Sequence, residues 1–308
     1  MGLKSKARVL APVVALAAAT AASLYSQTSG SRQPVFPPPT TLGELETIVR
    51  AKAKAFETSN GVRVGFQTLT TNYKLAPASV SYSDYALVRL LFEATRDKGL
   101  WNLNWDITNM PPNSDNIWRQ WQSVSKPSML APTATAECDE LSALFAFLVE
   151  RAGVRGVGLL WPYANHTVAV WVLRPTKGPV VRVVVPTTQI FLEPTDFFGT
   201  KTFDPWRQKA IYEYTRRDVP DSFGLPKALF DFFLVQMDKY GGASDLTLQQ
   251  LRYLRGAVMI KKTTPEEAAD YALKLRSQLG SGPPEDLVAF QTFVQDMRAG
   301  GSQHGNHP

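Results

Sequence analysis

One stretch constrains this chain more than any other. At residues 136–154 the only cysteine of the protein, Cys138, stands where a loop ends and an apolar helix begins. Leu141, Leu144, Phe145, Leu148 and Ala152 follow at helical spacing. Gly153 closes the helix, as glycine commonly does just past a C-terminus. A thiol in the first helical turn feels the positive end of the macrodipole, which favours the thiolate. The flanking carboxylates of Glu137 and Asp139 act the other way, and a helix start between two acids predicts a thiol that is not deeply buried. Twenty-eight residues later comes His166, the only histidine outside the C-terminal tail. One cysteine and one histidine are the minimum kit for nucleophilic thiol chemistry.

The formal charge of +6 looks basic, but Lys4, Lys6 and Arg8 supply three of those charges at the extreme N-terminus. What remains is too little to argue for nucleic acid, and no run of basic residues interleaved with aromatics appears elsewhere. Residues 1–30 read as an export signal: a charged start, an uncharged alanine-rich run over 9–24, then polar Ser26, Gln27, Ser29 and Ser31. An uncleaved anchor is the alternative for residues 9–24, although Pro12 interrupts a run already short of the roughly 20 apolar residues a span needs. The expected place is therefore outside the cytoplasm, periplasmic or extracellular, with the membrane touched only through that segment. One cysteine excludes an internal disulfide framework.

Residues 31–41, with Pro34, Pro37, Pro38 and Pro39, form an extended linker. A mainly helical region over 42–125 follows, opened by the capping box Thr41/Glu44 and a helix over 42–56. Within it, 61–66 reads as a short strand, 83–98 as a second helix, and 100–122 as a cluster of tryptophans suited to a core or to a substrate groove. A core over 126–200 holds the cysteine helix and three strands, 157–161, 166–173 and 180–187, the last two joined by a turn at Pro175-Thr176-Lys177-Gly178. From 201 to 298 the pattern is helical again, over 206–214, 227–240, 246–258, after the Thr264/Glu267 cap, and from 283 to about 297. The 227–240 helix is apolar on nearly all sides, so the C-terminal half, 203–297, is expected to dock on the core instead of folding as an independent domain. The tail 299–308 reads as disordered, and its His304 and His307, lacking cysteine or carboxylate partners, make a poor metal site. No metal and no cofactor is expected, and no phosphate-binding glycine loop is present.

The order of a helix opened by cysteine, then strands, with histidine opening the second, resembles the transglutaminase-like branch of the papain-like fold, in its bacterial form. The resemblance covers about 118–198 and rests on Cys138-Asp139, on Leu144-Phe145, on Arg151-Ala152-Gly153-Val154 and on His166-Thr167-Val168-Ala169-Val170-Trp171. It implies an α+β fold, with the cysteine helix packed on an antiparallel sheet and helical segments on either side. It also implies a thiol enzyme that cleaves or transfers acyl groups at peptide or isopeptide bonds. An oxyanion donor upstream of the cysteine is implied too, for which Trp118, Gln120, Trp121 and Gln122 are the candidates.

The third member of the site departs from the family. Val185-Pro186-Thr187 echoes the family's Asp-Pro-Thr, with valine in place of the carboxylate. A turn centred between Thr176 and Lys177 sets Thr187 opposite His166, with Val185 and Gln189 as same-face neighbours. Glu193 lies six residues further along, roughly 20 Å on an extended strand. Thr187 or Gln189 is thus expected to orient the imidazole. Two functions fit: an exported thiol hydrolase or acyltransferase, or a catalytically silent module that binds a peptide or protein partner.

Overall fold

The computed structural model describes residues 41–300 except 97–98, 164–165, 189–197, 200–211, 215–217, 221, 241–253, 255–256, 259–262 and 280–283. The stretch expected to be an export signal, the linker expected before Thr41 and the tail beyond 300 lie outside the described residues. The fold is mixed α+β, with eight α-helices and two small sheets among the described residues. No described helix is long and apolar enough to cross a membrane.

Helix α1 (Leu42–Phe56) starts on the capping box anticipated from sequence: Glu44 N–H donates to Thr41 Oγ1, and Thr41 N–H to the Glu44 carboxylate. Residues 61–66 are not a strand but part of helix α2 (Asn60–Asn72). The alternation Val62-Arg63-Val64 imitates a strand. The chain obeys the longer period instead, because Val62, Phe66 and Leu69 fall on one side and pack into the core. Gly65 is needed there, since a Cβ would collide with the Tyr85 hydroxyl of helix α3 (Tyr82–Thr95).

A parallel two-stranded ladder that sequence reasoning missed comes next. Strand β1 (Leu103–Trp105) pairs with β2 (Ala134–Ala136), placing Trp105 level with Ala136. Between them runs helix α4 (Asp115–Trp121). The tryptophans of this region are largely core. Trp101 stacks between Trp121, at 4.4 Å, and Phe233, at 3.8 Å, while Trp118 meets Trp121, Phe147 and Phe223 edge-on. Each such pair adds about 0.5–1.5 kcal/mol beyond the area it buries.

Helix α5 (Cys138–Arg151) leaves β2 after one residue and packs against an antiparallel sheet of order β5-β4-β3-β6. The strands are β3 (Val157–Tyr163), β4 (His166–Leu173), β5 (Val181–Val185) and β6 (Tyr212–Glu213). The last of these replaces part of the helix expected over 206–214: Tyr212 and Glu213 pair with Leu159 and Gly158 at the sheet edge. Thr167, Ala169, Trp171, Leu173, Val183 and Val185 are buried, and all but Thr167 belong to the main hydrophobic core with α5. Val168, Val170, Val172, Leu160 and Val184 form a second apolar cluster on the alternate positions.

Helix α6 (Lys227–Tyr240) sends Leu229, Phe230, Phe233 and Met237 into the main core, which is what its all-round apolar surface requires. Helices α7 (Pro265–Leu279) and α8 (Pro284–Gly300) instead hold a cluster of their own, with Leu254, Val258, Ala268, Ala272, Phe290 and Val294. The Thr264/Glu267 capping box opens α7.

Candidate functional site

Cys138 is the first residue of α5, and its sulfur rests on the start of β4. The main-chain N–H of Thr167 donates to Sγ at 3.3 Å, and Sγ lies 3.7 Å from Asp139 Oδ1. The Thr167 nitrogen is about 2.4 Å from the His166 Cα, so the thiol sulfur sits within about 6 Å of that Cα. The sulfur thus touches the main chain one residue beyond His166, at the start of β4. A second tie steadies the arrangement: Ser142, one helical turn on, donates to Cys138 O at 2.7 Å and contacts Thr167 O at 3.4 Å.

Helix α5 begins where it does because two acids organise its first turn. Glu140 is 0 % exposed, and its carboxylate accepts from Glu137 N at 2.9 Å, Thr108 Oγ1 at 2.8 Å and Asn116 Nδ2 at 2.9 Å. The Glu137 carboxylate accepts the N–H groups of Thr108 and Asn109 at 3.3 and 3.4 Å. The loop after β1 is thus strapped across the start of α5. Burial, ahead of the neighbouring acids, raises the Glu137 carboxyl above its usual range.

Cys138 is only 8 % exposed, contrary to the expectation drawn from its acidic neighbours. The core closes over the helix end because β2 delivers the chain from inside the fold, with Ala134 and Ala136 both buried. Burial pushes the thiol up to about 11, and Asp139 and Glu137 add to this against the Thr167 N–H, which favours the thiolate. Helix-end placement therefore does not yield a free thiolate. His166 is 2 % exposed, and burial brings its imidazole down to about 4. Both groups rest neutral at pH 7.

The register of the hairpin corrects the placing of Thr187. Leu173 pairs with Val181 and Ala169 with Val185, so the turn is centred on Lys177 itself, with Gly178 at φ +105°. A one-residue slip sends every side chain to the other face of a sheet. Beyond β5 the chain turns at Pro186, where Thr187 N–H returns to Val185 O at 2.9 Å. Thr187 then faces α5, its hydroxyl paired with that of Ser142. Thr188 Oγ1 lies 3.5 Å from His166 Nε2. Gln189, Glu193 and Asp196 lie outside the described residues.

Three of the four anticipated oxyanion donors, Trp118, Gln120 and Trp121, are engaged inside the fold. Trp118 Nε1 donates to Ser114 Oγ at 2.7 Å and Trp121 Nε1 to Thr133 Oγ1 at 3.0 Å, both side chains being fully buried. Gln120 clamps β2 from both sides, donating to Thr135 O at 2.7 Å and accepting from Thr135 N at 2.9 Å. Gln122 is exposed at the end of α4. Trp105 Nε1 and Thr167 Oγ1 are among the buried polar atoms that carry no hydrogen-bond partner among the described residues, and sequence reasoning gave neither a role. Trp105 is the ladder partner of Ala136, two residues before the cysteine. Only the β1–β2 pairing reveals this, and Leu103-Asn104-Trp105 is too short a run to announce a strand.

Among the described residues no group of three histidine, cysteine, aspartate or glutamate side chains is placed to hold a metal ion. Comparison with protein-family models, with curated proteins and with solved structures gives no match for this chain.

Proposed function

We propose that this protein is a transglutaminase-like thiol enzyme that cleaves or transfers acyl groups at amide bonds of peptide or protein substrates, with Cys138 as nucleophile and His166 as base. The observation that carries the reading is the Thr167 N–H donated to the thiol sulfur, because it holds the sulfur at the start of the strand that His166 opens. The order of α5, β3, β4 and β5 supports a papain-like core, and the export segment over 9–24 supports action outside the cytoplasm.

In this mechanism the thiol attacks the substrate carbonyl carbon as its proton passes to the imidazole. Because thiol and imidazole rest neutral, transfer and attack are concerted and no standing ion pair precedes them. The amine departs with the proton returned from His166, leaving a thioester on Cys138, and water or a second amine takes the acyl group. The oxyanion is held by the Cys138 main-chain N–H, free of intrahelical bonding at the helix start, and by the Trp105 indole N–H. Alkylation of Cys138 by a peptide chloromethyl ketone tests the reading: labelling should outpace that by iodoacetamide and drop in His166→Ala.

A second reading is favoured by one observation, the buried thiol held up at about 11. In it the chain is a catalytically silent module that binds a peptide or protein partner. Equal, slow labelling of the wild type and His166→Ala by both reagents selects it.

A further inference from the structure

We propose that Ser142 and Thr187 act as one unit that seats the Cys138 sulfur on the Thr167 N–H, and that both are positioning residues for the nucleophile. The inference rests on the reading of Cys138 as nucleophile. Its ground is a pair of hydroxyls in hydrogen-bond contact, on side chains that are both 0 % exposed. Ser142 lies one turn past Cys138 on α5, while Thr187 follows β5, so the pair ties two elements that lie 45 residues apart in sequence.

Thr167 completes the junction. Among the described residues it is paired in neither ladder: the β3–β4 register shifts between Leu160 and Tyr163, and the β4–β5 ladder ends at Ala169 and Val185. Helix α5 takes up its main chain instead. The Thr167 N–H donates to Cys138 Sγ at 3.3 Å, and the Thr167 carbonyl oxygen lies 3.4 Å from Ser142 Oγ. Hydrogen accounting assigns the roles. Ser142 has one hydroxyl hydrogen, and the two main-chain oxygens near it, of Cys138 at 2.7 Å and of Thr167, can only accept. The Ser142 hydrogen is used there, so Thr187 is the donor in the hydroxyl pair. The chain after β5 thus closes on the first turn of α5, and that turn closes on the start of β4.

The chemistry follows from what this seat does to the sulfur. As the thiol proton leaves, negative charge grows on Sγ, and the Thr167 N–H is the donor placed to meet it. Burial holds the thiol up at about 11, and the Thr167 N–H opposes that rise. Removal of Ser142 Oγ strands the buried Thr187 donor and frees the start of β4 from α5. The N–H then drifts from the sulfur, and the forming thiolate loses its donor.

The test uses the full chain carrying ¹³C-carbonyl histidine and ¹⁵N-threonine. His166-Thr167 is the only His-Thr pair in the sequence, so the Thr167 amide gives the one signal in a carbonyl-to-amide correlation spectrum. Its hydrogen exchange is read beside the unfolding constant from urea, and acylation of Cys138 by p-nitrophenyl acetate is timed on the same samples. Ser142→Ala should quicken the exchange about tenfold beyond the change in the unfolding constant, the effect of one hydrogen bond, and slow acylation by a similar factor. Thr187→Val should do the same, and Thr187→Ser should restore both. The Ser142→Ala/Thr187→Val double variant should be no slower than either single, as for residues that act as a unit. Exchange and acylation that follow only the unfolding constant in both single variants overturn the proposal, and so does a double variant slowed by the product of the two effects. Quickened exchange with parental acylation overturns the positioning role. Absence of an acetyl group on Cys138 in the parent overturns the nucleophile reading, and the positioning role with it, while the Thr167 exchange still judges the seat. If Ser142→Ala fails to fold, Thr187→Val against Thr187→Ser decides: equal Thr167 exchange in the two overturns the proposal.

Discussion

Burial of His166 makes a quantitative claim about acid stability. In the unfolded chain its imidazole takes a proton near 6.5, whereas in the native chain burial holds this off until about 4. The native state therefore binds fewer protons between those values, and stability falls as pH drops from above 6.5 toward 4. At 1.36 kcal/mol per pKa unit the full loss is about 3 kcal/mol below pH 4, and about 2 kcal/mol is already lost at pH 5. Urea unfolding of the wild type and His166→Gln at pH 7.5 and pH 5 measures the term directly. Carboxylates titrate alike in both proteins and cancel, so the wild type should lose about 2 kcal/mol more than the variant over that interval. Equal losses would mean that His166 is hydrated or paired with an acid, and the account of a neutral buried imidazole would fail.

Other consequences are as specific. Cys138, held up at about 11 against an ordinary 9, keeps its proton when the unfolded chain has lost its own, so stability falls as pH rises from 9 toward 11; Cys138→Ala should flatten that limb of the pH–stability curve by about 2–3 kcal/mol. Glu140→Ala strands the donors Glu137 N, Thr108 Oγ1 and Asn116 Nδ2, and should cost at least about 3 kcal/mol in urea unfolding. Gly156→Ala places a Cβ 2.5 Å from Val172 O at φ +88°, whereas Gly178→Ala at φ +105° meets open space. The first should lower the melting temperature markedly, while the second should cost only about 1–2 kcal/mol. Gln120→Ala removes the amide clamp on Thr135, and should destabilise β2 by about 1–3 kcal/mol while leaving the order of the other strands intact.

Much of the α+β layout is legible in the sequence because helices with strong apolar periodicity and explicit caps advertise themselves. Thr41/Glu44 and Thr264/Glu267 mark helix starts to the residue, and the apolar circumference of α6 announces its burial. What resists reading is context. Val62-Arg63-Val64 satisfies strand and helix periods alike, and only packing against Tyr85 selects the helix. The three-residue strands β1 and β2 carry too little pattern to be seen, although their pairing is what sets Trp105 level with Ala136, two residues before the cysteine.

The candidate site divides the same way. Cys138 and His166 stand out by being nearly alone of their kind, and the Cys138 sulfur contacts the main chain of Thr167, the residue after His166. Their neighbours depend on a hairpin register that composition does not fix. A turn centred on Lys177, half a residue from the expected position, exchanges Thr187 for Thr188. Burial of the thiol was equally hidden, since Glu137 and Asp139 look like surface residues until Glu140 and the 106–110 loop are seen closing over the start of α5.

The central claim is that Cys138 attacks carbonyl carbon with His166 as its base. Intact-mass spectrometry after rapid mixing with p-nitrophenyl acetate measures this at the atom concerned. The account predicts a single acetyl group on Cys138 that forms and turns over in the wild type, forms about 10²–10⁴-fold more slowly in His166→Ala, and is absent in Cys138→Ala. An acetyl group forming on Cys138 at the same rate with and without His166, or no adduct on Cys138 at all, would contradict it.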